Sequence, residues 1–442
     1  MKQKVRILIA FFLLVASGGF AQKPLEETDI QIKEDTASVN FLLKKSKDKL
    51  GTSPDSAINL AMQAKDLAEK INYDQGKALS LKNVGLGYYY QGKYLETLDY
   101  WTQSLAIYES LKDETGIANL QNNIGAVYAD QGDDARALDY GLRSLKISEK
   151  LGDKLRILSA LNTVASIYYA KKATWDTALN YLLRALPLAE ELGNPDVIGG
   201  ISENIGEIYY DKKDDAKAME YYKKAIDVLG NTTNAPFAYN GVGKIYRRKG
   251  NTAEALKYHQ TALAISEKLD NKLHMVRSLE GIANVYLSIN DLRTALSYFG
   301  KAETLATDLK ANHNLKDLYQ EMAEAYEKAG DYKNAFAYQT RLNNVKDTLF
   351  NELTERKLGA LQFEFDLEKK QNEISLLTKD KDLQAISIKR QKLAKNAFMI
   401  GLLLAFTIAL LIFRSYRIKA KTHKILDQQK KRDREFAIKY LT

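Results

Sequence analysis

The chain has 442 residues and a formal charge of +9, more length than one ordinary core uses, so several units or a repeat array are expected. It has no cysteine, which excludes disulfides, thiolate metal sites, cysteine nucleophiles and a lipidated N-terminal cysteine. Residues 1–21 hold Lys2, Lys4 and Arg6 without an acid, and residues 414–442 hold ten Lys/Arg against three acids, which leaves −1 for everything between; that main body lacks the electrostatic footprint of a nucleic-acid binder.

The N-terminus reads as a secretory signal peptide over 1–21. A basic start is followed by ten apolar residues, Ile7 to Ala16, and by Gly19-Phe20-Ala21 with small residues where a signal peptidase reads. Ten residues rise about 15 Å as a helix, roughly half a bilayer, so cleavage after Ala21 is expected and not an anchor. Residues 22–37 follow as a linker.

From 38 to 343 one motif recurs. A small residue stands at Gly85, Gly125, Ala165, Gly206, Gly243, Ala283 and Ala323, at spacings of 40, 40, 41, 37, 40 and 40. Three residues later comes Tyr88, Tyr128, Tyr168, Tyr209, Tyr246, Tyr286 or Tyr326. Such a period means a solenoid or array. The small residue lets a partner helix approach, and the tyrosine one turn on lies on the same face. Four residues further, Gly92, Gly132, Gly250, Asn290 and Gly330 accept the left-handed conformation that ends a helix. Lys172 and Lys213 depart from this rule, so looser turns are expected there. A second helix repeats Ala137, Ala178, Ala218, Ala255, Ala295 and Ala335, with Thr97 in the first copy. Bulky Trp101, Leu182, Tyr222, His259 and Phe299 follow four residues on in most copies. Ala57, Ala61 and Ala64 mark an N-terminal copy whose first helix lacks the small–Tyr pair, as a capping repeat can.

This order of small residue, Tyr, Gly, Ala, aromatic and Ala resembles the tetratricopeptide repeat (TPR) family in a 40-residue variant. The resemblance implies an all-α fold: about eight helical hairpins in a right-handed superhelix, then a long helix and one transmembrane helix.

Residues 344–395 are densely charged and free of proline. Leu358, Phe365, Leu376, Leu383, Ile386 and Leu393 fit a and d positions of one heptad frame, interrupted by Gln362, Lys369, Asn372, Lys379 and Arg390. That pattern allows either a homodimer through residues 349–395 or a solvated spacer. Residues 397–413 have no charge and read as a transmembrane helix at the short end of the spanning range. The basic tail, 414–442, follows. The inner flank is basic as the positive-inside bias requires, but Lys379–Lys395 on the other side is basic too, so the signal peptide decides the orientation. The array is then expected outside the cytoplasm, periplasmic at an inner membrane crossed once, with the tail cytoplasmic.

The order of signal peptide, repeats, charged helix, span and basic tail resembles the sensor half of bacterial TPR signal-transduction proteins of the histidine kinase or regulator type. No phosphoacceptor motif and no ATP-binding glycines follow the span. His423 lacks the neighbours of a phosphoacceptor histidine.

His259, His274, His313 and His423 are scattered without metal-ligand spacing, no phosphate loop or nucleophile elbow is present, and no carboxylate pair stands out. No cofactor, no metal and no catalysis are expected. A binding face is proposed instead. In TPR proteins the first helices line a concave groove, which places there Lys82, Asn122, Asn162, Glu203, Asn240, Glu280 and Gln320, with Glu207, Lys244 and Asn284 beside them. Amides in a row can pair with an extended peptide. The family's clamp for a terminal carboxylate is not supported, because Leu86, Ser159 and Thr163 stand where its Asn, Lys and Arg belong. The sequence thus reads as a membrane-anchored module that binds a protein or peptide, serving as sensor or adaptor. A scaffold for envelope or secretion machinery, or a truncated receptor, are the alternatives.

Overall fold

Helix ends in this chain are written by short polar side chains. Asp113, Asp133, Asp153, Asp214, Asn251, Asn271, Asp291 and Asp331 each accept a hydrogen bond from the backbone N–H three residues on, at 2.9–3.2 Å. Each satisfies one of the donors that a helix start leaves open. Left-handed residues close the helices, with φ of +73° at Gly92 and +84° at Gly132.

The computed structural model describes residues 35–439. The expected signal peptide and most of the 22–37 linker lie outside them. All regular structure among the described residues is helical. The first hairpin joins α1 (Thr36–Lys49) to α2 (Pro54–Lys70), and the second α3 (Asp74–Tyr90) to α4 (Tyr94–Leu111). Then come α5 (Glu114–Gln131) with α6 (Asp134–Leu151), and α7 (Lys154–Tyr169) with α8 (Trp175–Leu192). They are followed by α9 (Pro195–Asp211) with α10 (Asp215–Leu229), and α11 (Ala235–Arg248) with α12 (Thr252–Lys268). Last are α13 (Lys272–Ser288) with α14 (Leu292–Asp308), and α15 (Asn312–Lys328) with the start of α16 (Tyr332–Lys439). Eight hairpins therefore form the all-α right-handed superhelix, and α16 leaves it as one uninterrupted helix through 344–395 and 397–413.

In hairpins that carry a bulky residue on the second helix, the small residue of the first helix receives it. A Cβ built on Gly85 would stand 2.4 Å from the Trp101 ring, and one on Gly206 2.9 Å from Tyr222. The pocket closes from the next hairpin as well. Gly241 lies against the other side of Tyr222, and Gly243 and Gly281 enclose His259. Ile201, Ile205, Ile208, Leu158, Leu161 and Leu182 bury completely in the same seam, and the area they remove from water is the main stabilising term.

Of the two departing turns, the one at Lys213 differs from expectation and the one at Lys172 is loose as expected. Lys213 takes the left-handed conformation at φ +61°, so its turn is as tight as a glycine turn. The Lys172 turn is longer, with a short 3₁₀ segment at Lys172–Thr174, and Trp175 pins it by donating its indole N–H to the Tyr169 carbonyl at 2.8 Å.

The array, with α16 up to Glu364, is one unit, and residues from Phe365 onward form another. Among the described residues α16 alone is long and apolar enough to cross a membrane, with a stretch of mean hydropathy 2.4. Its apolar side chains there are exposed, as are Leu358, Phe365, Leu376, Leu383, Ile386 and Leu393.

Candidate peptide-binding face

The first helices of successive hairpins stand side by side, and polar side chains join each to the next. Asn83 on α3 donates to the Leu43 carbonyl on α1 at 3.2 Å, and Tyr89 donates to Asp130 on α5 at 2.9 Å. Asn122 on α5 donates to Ser159 on α7 at 3.1 Å, and Tyr169 on α7 donates to Glu207 on α9. Asn240 on α11 reaches Ser278 on α13 at 2.9 Å, and Asn284 on α13 reaches Glu321 on α15 at 2.9 Å. Second helices are tied differently, by exposed ion pairs such as Lys224 to Glu190 and Arg184 to Glu149. Such pairs are worth little each. The first helices therefore carry most of the array's buried polar side chains.

The ten residues singled out in the sequence share this row but not one environment. Lys244 and Gln320 are exposed, Gln320 donating to Glu324 at 3.2 Å. Lys82, Asn122, Glu207, Glu280 and Asn284 are half-buried. Asn162, Glu203 and Asn240 are buried. Asn240 has its partners within the array. Its amide is spent inside the array, with its oxygen 2.8 Å from His259 Nδ1 and its nitrogen on Ser278. Asn122 and Asn284 also spend donors on neighbouring repeats, so three of the four asparagines have partners on another repeat. Asn122 Oδ1 stays buried without a hydrogen bond.

Charge in the row is strongly perturbed. Burial pushes the Lys82 ammonium down to about 8, and Lys47 and Arg156 push it further the same way. At the other end burial raises both Glu280 and Glu321, the latter to about 8, and Glu280 adds to the rise at Glu321. Asn284 donates to Glu321, and Lys244 and Arg247 oppose both shifts. A carboxylic acid held partly protonated near neutral pH and an ammonium held partly neutral are both groups that a charged ligand would re-ionise.

Sequence reasoning missed Lys47, Asn119, Arg156 and Glu321. They do not occupy the phase counted from the small residues, and only the lateral approach of neighbouring helices brings them into the row. It also missed a second tyrosine in every copy: Tyr100, Tyr140, Tyr181, Tyr221, Tyr258, Tyr298 and Tyr338. Each stacks on the first at 5.5–5.8 Å between ring centres. The signal was present as a tyrosine twelve or thirteen residues after the first. Among the described residues no three His, Asp or Glu side chains form a group that could hold a metal ion.

A family model described as Tetratricopeptide repeat matches residues 74–150, 156–230 and 235–308, just over half of the chain. No curated protein matches the sequence. Among solved structures, the apo form of RapI is 15% identical, with a TM-score of 0.53, covering 62% of this chain and 99% of its own. The STAND protein with a tetratricopeptide repeat sensor from Pyrococcus horikoshii is 16% identical at a TM-score of 0.53, covering 73% of this chain; the chain spans about half, 54%, of that protein. The apo form of the quorum sensor NprR from B. thuringiensis is 15% identical at 0.51, covering 78% of this chain and 99% of its own. At these identities the likeness is one of fold.

Proposed function

The chain belongs to the tetratricopeptide-repeat family, and from that premise we infer that its first-helix row is the docking face for a protein segment or peptide. The observation that carries this reading is the concentration of buried and half-buried polar side chains on that row, with Gln121 Oε1, Asn122 Oδ1 and Ser202 Oγ buried without a hydrogen bond, against exposed ion pairs on the second helices. Buried polar groups without partners cost free energy. A ligand that completes their hydrogen bonds recovers that cost. Two proteins of similar fold, a quorum sensor and a sensor of the STAND class, carry names that fit a sensing role, and we extend that role to this chain.

The anchoring is part of the proposal. Residues 397–413 cross the inner membrane once, the array stands in the periplasm, and the basic tail lies in the cytoplasm. Residues 349–395 pair with a second copy through Leu358, Phe365, Leu376, Leu383, Ile386 and Leu393, whose exposure in one chain is what a coiled-coil seam looks like before it is closed. The continuity of α16 from the last hairpin into the span favours a sensor or adaptor over an inert scaffold, because an unbroken helix transmits rotation or tilt.

The test replaces Asn162, Lys244 and Gln320 by Ala together. Two of the three are exposed and none makes a hydrogen bond to another repeat, so melting is expected within a degree or two of wild type. Capture of partners from a periplasmic extract is expected to be lost. Capture that survives the triple replacement would remove the row from the account. Swapping 397–442 for an unrelated anchor separates sensor from scaffold, since retained function would rule out signalling through α16.

A further inference from the structure

Helix α16 leaves the last hairpin at Tyr332 and meets the array again at hairpin 3. Arg136 Nη2 on α6 lies 3.2 Å from a Glu364 carboxylate oxygen on α16, within the unit that ends at Glu364. From Tyr332 to Glu364 a helix rises about 48 Å at about 1.5 Å per residue. This stretch of α16 therefore reaches from hairpin 8 back to hairpin 3.

Hairpin 3 is set apart from the other repeats at this point. The Arg136 Nε donates to Asp133, the cap of α6, and the guanidinium lies over the Tyr128 ring at 4.8 Å, which leaves Nη2 to donate to Glu364. Among the equivalent positions of the other repeats only Lys217 is also basic. Tyr128 is buried, whereas the first tyrosine of every other repeat is half-buried. On α16 the described side chains from Phe350 to Gly359 are all exposed, and half-burial returns at Ala360 and Phe363. Ala360, Phe363 and Glu364 share one face of the helix. Leu358, Leu361 and Phe365 are exposed on the opposite face. An ion pair this exposed contributes little alone, and the half-buried Phe363 ring adds apolar area to it.

We propose that the face of α16 formed by Ala360, Phe363 and Glu364 is a clasp on hairpin 3, which closes the array onto its own exit helix. The clasp goes beyond the docking face and does not rest on it. Hairpins 4 to 7 lie between its two fixed points, the root of α16 in hairpin 8 and the Arg136 contact in hairpin 3. A change in their curvature either strains the clasp or opens it, and in both cases α16 shifts against the array. Glu364 is thus a positioning residue for the helix. The Leu358, Leu361 and Phe365 face stays open while the clasp is shut, so pairing with a second copy there does not compete with it.

The chain has no cysteine, so two can be introduced as its sole labelling sites. The full-length protein in detergent carries spin labels at Lys146→Cys on α6 and Lys357→Cys on α16, both exposed positions. Pulsed electron paramagnetic resonance reads the distribution of distances between them. A single narrow distribution is expected, and Glu364→Lys is expected to at least double its width. Glu355→Lys makes the same charge change at an exposed position on the opposite face, and is expected to leave the width as it was. A broad distribution in the labelled parent would overturn the clasp, and so would equal widths in the parent and Glu364→Lys. Equal broadening by Glu355→Lys and Glu364→Lys would assign the effect to net charge and overturn it as well. Dilution with unlabelled protein is expected to leave the distance in place; a distance lost on dilution would put the contact between two copies and overturn a clasp within one chain.

Discussion

At Gly125 the two helices of a hairpin come as close as backbones allow. A Cβ there would stand 3.1 Å from the Ala137 carbonyl oxygen and 3.4 Å from the Gly141 nitrogen, neither of which can rotate away. Gly125→Leu is expected to destabilise the array by about 1–3 kcal/mol, as overpacking does, read as a lower midpoint in urea. His259 offers a second residue-scale test. Burial, with Lys244 and Arg247 beside it, holds its imidazole down to about 3, below the ordinary 6.5. The folded state therefore prefers the neutral ring. Its stability is complete above pH 6.5 and drains away as pH falls toward 3. His259→Phe keeps a ring between Gly243 and Gly281 and is expected to flatten this part of the profile of melting temperature against pH; an unchanged profile would assign the acid sensitivity elsewhere. The small residues and His259's packing role were legible in the sequence because a 40-residue period repeats them. The partners of Asn240 were not, since they depend on how the helices of two successive hairpins meet and not on spacing within one.

At the scale of the element, a hairpin is a pair of helices locked near the turn by two tyrosines. Tyr128 and Tyr140 stack at 5.6 Å with rings 14° apart. Tyr140→Phe keeps the stack and is expected to melt with wild type. Tyr140→Ala loses ring area and the pairing, the latter alone worth roughly 0.5–1.5 kcal/mol. Equal losses in the two variants would mean that the hydroxyl, not the stack, is what matters. The hairpins themselves were readable from the Gly and Asn stops, and the Lys213 turn was misjudged for a physical reason. A lysine can take the left-handed conformation at the cost of a little strain when the surrounding hairpin fixes it, and the sequence records only which residues take it freely. The continuity of α16 was anticipated from its charge-rich, proline-free composition, which offers no place for a helix to stop.

For the whole molecule, the account joins a TPR array to a membrane through one helix. A reporter active only outside the cytoplasm is expected to work when fused just before Lys395 and to fail when fused after Arg434; the reverse pattern would place the array inside the cell. The first-helix row as docking face was only half legible. Its positions followed from the repeat, but their burial and charge followed from neighbouring helices, which is why Lys82 stood out only once Lys47 and Arg156 stood beside it. The claim that everything else depends on is that a partner lies on that row. A photo-crosslinking residue placed at Lys244, exposed on first helix α11, and separately at Lys223, exposed on second helix α10, tests it in intact cells. The account predicts a discrete adduct from position 244 and none from position 223; an adduct from 223 with none from 244 would contradict it.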